Sequence, residues 1–285
     1  MVAFLGMGLL GSNFVKAMLK KGEQVNVWNR TASRAQALVE FGAKAFDNVS
    51  DAVKGAERIH IVVKDDAAVN EVLAAASAGF APGVTIIDHT TTSAAGAIER
   101  TEKWAALGYT YLHAPVFMGP PNALESTGTM LVSGNQEVIA KWQPALEKMT
   151  GKVINFGTRV DKAAGMKLTG NLFLIGMTAA VADTLALVKA LDIPVSDVSA
   201  LFETWNPVAM VPARIKKITS NTFDQPSWEL NMSRKDAGLM IAEAKKGNTK
   251  LMIIPTIAAE MDSRIAEGLG NQDWTVIAKD SVGKL

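Results

Sequence analysis

Val2-Ala3-Phe4-Leu5-Gly6-Met7-Gly8-Leu9-Leu10-Gly11 opens the chain: an apolar run ends directly in a GxGxxG, and an amphipathic stretch follows to about Lys21. In the order strand, glycine-rich turn, helix, each glycine has a physical task. Gly6 permits the tight turn out of the strand. Gly8 lets a ligand come up against the backbone, and Gly11 lets the new helix pack closely on its strand. The N–H groups around Leu9 to Ser12 are left without partners in the helix and point at an anion. The pyrophosphate of a dinucleotide suits that position, so Gly6, Met7, Gly8, Leu9, Leu10 and Gly11 are read as cofactor-binding.

Beyond this motif, short apolar runs alternate with helical patterns for about 155 residues. Val2-Leu5, Gln24-Trp28, Arg58-Val63, Thr85-Asp88, Thr110-His113, Thr129-Ser133 and Val153-Phe156 read as strands. Ser33-Phe41, Ala67-Ala76 and Ala94-Leu107 read as helices between them. This rhythm predicts an α/β fold, a doubly wound parallel sheet of the Rossmann type. The later strands follow one another more closely, so the far edge of the sheet is expected to be partly antiparallel.

The pattern changes after Gly157-Thr158. Ala163-Ala190 has helical spacing and no proline, and Val195-Thr204, Val208-Ile218, Asn231-Gly247 and Pro255-Glu267 continue as helices. The reading is a Rossmann domain over 1–158 and an all-α C-terminal domain over 159–285, the latter serving substrate binding and dimerisation.

Composition narrows the function. Of 285 residues, 29 are Lys or Arg and 28 Asp or Glu, a net charge of +1 that argues against general affinity for nucleic acid or anionic membranes. Without cysteine there is no disulfide, thiolate metal site or cysteine nucleophile. The three histidines, His60, His89 and His113, lack a metal-ligand spacing, so no metal is expected. No unbroken apolar run of about 18 residues is present, so no transmembrane helix is expected. A strand starting at Val2 leaves no room for a leader, and a cytoplasmic location is the expectation.

The second strand ends Val25-Asn26-Val27-Trp28 and runs into Asn29-Arg30-Thr31-Ala32-Ser33. A carboxylate in that place commonly holds the adenosine ribose of NAD. Here none would repel a 2′-phosphate. Arg30 offers a charge-assisted contact and Asn29, Thr31 and Ser33 neutral donors, which favours NADP over NAD.

Further along, Lys167 and Asn171 are one turn apart on one helix face, with Gly170 on the same face. This helix begins at the domain junction, where a two-domain dehydrogenase holds its nicotinamide. A lysine ammonium polarises a carbonyl and then gives up its proton. Partial burial would lower its pKa from about 10.4 towards a useful range. Asn171 can orient the substrate oxygen or the lysine.

Taken together, the chain resembles the β-hydroxyacid dehydrogenase family, the group of 3-hydroxyisobutyrate dehydrogenases, tartronate semialdehyde reductases and glyoxylate/succinic semialdehyde reductases. The resemblance rests on Gly6 to Gly11, Asp88-His89-Thr90-Thr91-Thr92, His113-Ala114-Pro115-Val116, Gly165 to Asn171, and Lys235-Asp236. It implies that Lys167 is the general acid/base and Asn171 its substrate-orienting neighbour. It implies cofactor contacts for Val63, Lys64, Thr91 and Lys235, and a substrate contact for Thr90. A homodimer or homotetramer is also implied.

One loop departs from the family pattern. Pro115-Val116-Phe117-Met118-Gly119-Pro120-Pro121 stands where the family reads Pro-Val-Ser-Gly-Gly. The amides of Phe117, Met118 and Gly119 are expected to bind a substrate carboxylate, and the bulky side chains suggest a more apolar pocket. His113 replaces a common aspartate and is read as a structural hydrogen-bonding residue. The leading expectation is an NADP-dependent reductase of a small carbonyl acid, run reversibly as a 3-hydroxyacid dehydrogenase. An imine reductase-like enzyme and a non-catalytic dinucleotide-binding scaffold are the alternatives. 6-Phosphogluconate dehydrogenase shares the lysine–asparagine helix in a much longer chain.

Overall fold

Val2–Leu5 forms β1 in the computed structural model, which describes residues 1–281, and all four residues are buried. Val2 and Phe4 enter one hydrophobic cluster while Ala3 and Leu5 enter another. A strand that alternates between two covered faces belongs at the centre of a parallel sheet. Helix α1 (Leu9–Lys20) follows, then β2 (Val25–Trp28), α2 (Ala32–Gln36), β3 (Lys44–Ala45), α3 (Val49–Ala52) and β4 (Arg58–Ile61). The alternation continues through α4 (Asp66–Ala76), β5 (Thr85–Asp88), α5 (Ala94–Ala106) and β6 (Thr110–His113).

These strands pair in parallel in the order β3-β2-β1-β4-β5-β6. The order reverses between β1 and β4, and such a switch point opens a crevice at the strands' carboxyl ends. Gly6 and Val62 stand at that edge. A separate three-stranded sheet follows, made of β7 (Val116–Phe117), β8 (Thr129–Val132) and β9 (Lys152–Asn155), with α6 (Pro120–Glu125) and α7 (Gln136–Glu147) between its strands. The far edge of the six-stranded sheet is parallel, not partly antiparallel as expected; the antiparallel pair is β7–β8 of this second sheet, in which β8 and β9 are parallel.

Two strands expected from no pattern, β3 and β7, are two residues long, too short for any periodicity to register. The helix expected over Ser33-Phe41 stops at Gln36, and a 3₁₀ turn over Val39–Phe41 ends at Gly42, which has φ 99°. Pro120 and Pro121 read as loop but open α6, where their missing N–H groups cost nothing.

The chain divides into two units, Met1–Leu172 and Phe173–Leu285, the division falling within helix α8 (Lys162–Ala190). In the second unit, α9 (Val195–Thr204), α10 (Val211–Thr219), α11 (Leu230–Lys246) and α12 (Ile254–Ala266) follow. Its core gathers Phe223, Leu230, Ala237, Ala258, Met261 and Val276. Asp183 of α8 accepts N–H bonds from Met252, Ile253 and Ile254 at the start of α12. Burial opposes its charge, but the three amides outweigh burial and hold its pKa below the ordinary carboxylate value.

Helix α8 bears on one expectation. By length and composition alone it could cross a membrane, its most apolar 18-residue window having a mean hydropathy of 1.7, although Thr169, Gly170, Asn171, Gly176 and Thr178 break every apolar run. Threonine and glycine interrupt a run while costing little average hydropathy. Only 6% of its most apolar window is buried, with Leu172, Phe173, Leu174, Ile175 and Val181 exposed.

Candidate functional site

A groove of about 480 Å³ lies at the carboxyl edge of the six-stranded sheet. It is lined by Gly6, Gly8, Leu9, Leu10, Gly11, Asn29, Arg30, Thr31, Val63 and Lys64 from the sequence reading. The glycines divide the labour as their spacing implies. A Cβ on Gly6 would fall 2.1 Å from the Val62 carbonyl oxygen, and one on Gly11 only 1.9 Å from the Gly6 oxygen. At Gly8 nothing lies within 4 Å, so that position opens into the groove. The Ser12 amide donates to the Gly8 oxygen, which corrects the range of free amides to Leu9, Leu10 and Gly11 among the described residues.

Not every expected residue lines this groove. Met7 is buried in the core, and Ser33 and Thr91 are exposed outside the lining. Lys235 belongs to the second unit, where it pairs with Asp236 at 3.0 Å. Asn29 accepts the Met7 amide at 2.9 Å and donates to the Thr31 carbonyl at 2.9 Å. Its carboxamide therefore pins the glycine-rich turn to the β2 loop. An aspartate could accept the first bond but not donate the second. Arg34, absent from the sequence reading, lines the groove with Arg30. The signal was available, since the two lie four apart where α2 begins.

The loop after β5 is fixed by a buried polar relay. Arg100 Nε donates to the Tyr111 hydroxyl at 2.8 Å, and that hydroxyl donates to Asp88 Oδ2 at 2.6 Å. Asp88 Oδ1 accepts the Thr90 amide at 2.8 Å, and Thr90 Oγ1 accepts the amide of groove residue Val63 at 3.1 Å. Arg100 also pairs with Asp66 at 2.9 Å, and Asp66 accepts the Ser93 amide. Desolvation of Asp66 is outweighed by these donors, which hold its pKa below the usual value. His113 Nε2 meets the Thr90 carbonyl at 2.9 Å, the structural role read for it.

A second cluster sits at the start of α8. Lys167 is 8% exposed, and its Nζ donates to Asn171 Oδ1 at 3.0 Å. The Phe117 ring covers the ammonium, its centroid 4.2 Å from Nζ. Gly170 makes room for that ring, because a Cβ there would lie 2.2 Å from Phe117 Cζ. Burial pushes the Lys167 pKa below the ordinary 10.5, with no charged neighbour among the described residues contributing. The Gly119 amide donates to Asn122 Oδ1 at 2.9 Å. It is spent on α6, which corrects its expected availability to a carboxylate; in the resolved geometry it is the Phe117 ring that faces the lysine.

The groove fits a dinucleotide: free amides and an open Gly8 for the pyrophosphate, and two guanidinium groups beside Thr31. Sheet order, glycine turn and groove together define an NAD(P)-binding oxidoreductase fold. Residues 1–157 match the NAD binding domain of 6-phosphogluconate dehydrogenase, and the chain belongs to that family, within the β-hydroxyacid dehydrogenase superfamily. It is 25% identical over 282 residues to 3-sulfolactaldehyde reductase of Escherichia coli (strain K12), covering 97% of this chain and 94% of that one. Among solved structures, a reductive aminase from Aspergillus terreus in complex with NADPH and ethyl levulinate superposes with a TM-score of 0.89 at 21% identity, over 98% of each chain. An imine reductase from Myxococcus stipitatus in complex with NADP+ gives 0.88 at 22% identity, over 98% of this chain and 99% of that one.

Proposed function

We propose that this chain is an NADPH-dependent reductase of a polarised C=O or C=N bond, with Lys167 as proton donor. The observation that carries the reading is a buried ammonium with no anionic partner among the described residues, held by Asn171. An ammonium destabilised by burial gives up its proton more readily than one in water. Asn171 accepts from Nζ through Oδ1, which leaves its NH₂ group to donate to a substrate oxygen or nitrogen. The bound cofactor supplies the hydride. Leu9, Leu10 and Gly11 would hold its pyrophosphate, and Arg30, Thr31 and Arg34 its 2′-phosphate.

Two substrate classes have support of different kinds. The lysine–asparagine pair suits a carbonyl oxygen, and the E. coli relative is an aldehyde reductase by name. The backbone likeness favours an imine, since the superposed reductive aminase and imine reductase each match nearly the whole chain. The aromatic surroundings of Lys167 argue for an apolar flank beside the reacting carbon in either class. The test is a panel of aldehydes, ketones, semialdehydes and cyclic imines, assayed with NADPH and NADH. Apolar ketones or imines are expected to outpace small carbonyl acids, and a preference for the acids would reverse the apolar-flank reading. Absence of turnover across the whole panel would favour a dinucleotide-binding scaffold.

Cofactor choice is tested separately. Arg30→Ala and Arg34→Ala are each expected to weaken NADPH by about 10-fold or more, as loss of a charge-assisted contact implies. NADH affinity should stay within about two-fold. Calorimetric titration of both cofactors checks this, and equal weakening of the two would remove the arginines from phosphate recognition.

A further inference from the structure

We propose that Phe117 is a positioning residue for Lys167: its ring face, seated in the notch left by Gly170, holds the ammonium against Asn171 without an anion. The inference rests on Lys167 being the proton donor, and it assigns to a ring the task that a carboxylate performs in most buried lysines.

The physical case begins with the lysine stem. Four rotatable bonds give it many rotamers, so an unpartnered ammonium is poorly placed for proton transfer. A carboxylate would fix it but would also favour the charged form strongly and spoil its acidity. An aromatic face attracts the cation through its quadrupole and contributes much less to proton affinity. At 4.2 Å from the centroid, the Phe117 ring is well inside the range of this attraction. Gly170 is the companion feature, since any larger residue would strike the ring within 2.2 Å of its would-be Cβ. Backbone geometry sets the ring's origin: Phe117 ends β7, paired with Thr129, before Gly119 turns the chain into α6. The ring therefore hangs from a hydrogen-bonded strand rather than a free loop. Burial depresses the Lys167 pKa, and no charged or titratable group among the described residues adds to it.

The test measures proton affinity in the cofactor-free full chain, so it does not depend on turnover. The pH dependence of Lys167 acylation by acetic anhydride, read by peptide mass spectrometry, reports its pKa. Phe117→Leu keeps the bulk but loses the ring face, and is expected to lower the Lys167 pKa by about half to one pH unit. Phe117→Tyr keeps the face and should titrate with the parent. Phe117→Ala uncovers the amine to water and should shift its pKa the other way, upward. A Phe117→Leu titration that coincides with the parent overturns the inference, and thermal melts of all three variants establish that each is folded. In parallel, the alkaline limb of the reductive rate should follow the labelling shift. A labelling shift without movement of that limb upholds the ring's role and strikes instead at Lys167 as proton donor.

Discussion

Lys167→Ala is expected to reduce turnover by about 10²–10⁴-fold, the scale of losing a general acid, while NADPH affinity stays unchanged. The unchanged affinity follows from the site's layout, because none of the groove-lining residues is Lys167. The companion variant Lys167→Met keeps the apolar stem under Phe117 and removes only the ammonium. Its melting temperature should not fall. A buried ammonium without an anionic partner among the described residues bears a desolvation cost that one amide acceptor and one ring face do not repay, so removing the charge relieves the fold. Collapse of activity with stability held or raised separates a catalytic lysine from a structural one. The pH dependence adds a sign. Reduction requires the ammonium, so its rate falls as pH rises through a pKa below 10.5. Oxidation requires the free amine and gains over the same range. Stopped-flow rates in both directions, with a melt of each variant, settle the matter; a variant retaining turnover near the parent's would remove Lys167 from the chemistry.

How much of this was legible beforehand differs by residue for physical reasons. The glycine turn was readable because each glycine answers a local constraint, and the groove bears out their spacing atom by atom. Strand existence followed from runs buried on both faces, whereas β3 and β7 were invisible at two residues each. Polar side chains were the hardest. Asn29 read as a donor to a ligand, and its carboxamide also ties Met7 to Thr31, a structural task that spends its oxygen and one of its two N–H donors. Gly119 read as an amide for a carboxylate and serves Asn122 instead. Phe117 was named for its backbone, yet its ring is what meets Lys167, a long-range contact no local pattern encodes. No spacing in the sequence links His60 with His89, 29 positions apart, although parallel pairing of β4 with β5 brings them together.

That histidine pair underlies the second large expected effect, a loss of stability between pH 6.5 and 4. Arg58 Nε donates to His60 Nε2 at 3.1 Å, which places the His60 proton on Nδ1. His60 Nδ1 then donates to His89 Nε2 at 2.9 Å, and His89 Nδ1 donates to the Ala114 carbonyl at 2.8 Å. Every nitrogen is assigned and both rings are neutral. A proton added to His89 Nε2 would set two N–H groups against each other between the Phe4 and Phe14 rings. Burial lowers the pKa of His60 and His113 and brings that of His89 to about 4. Unfolded, each would titrate near 6.5. Below that pH the unfolded chain takes up protons that the fold refuses, so stability is full above 6.5 and drains as pH falls towards 4. His89 alone accounts for roughly 3 kcal/mol over that window, with His60 and His113 adding in the same direction. The depressed carboxylates Asp66, Asp183 and Asp273 also lose stability with acid, but chiefly below 3.8, so the upper window belongs to the imidazoles. With three histidines in the chain, ring-proton NMR resolves each titration, and none should show a midpoint near 6.5 in the folded protein. A normal midpoint for His89 would mean the relay carries no such penalty. Urea melts at pH 7 and 4.5 give the stability difference directly. His113 holds the Thr90 carbonyl, and the Thr90 hydroxyl accepts from groove residue Val63, so saturating NADPH, by binding the folded chain, should displace the acid transition to lower pH by mass action.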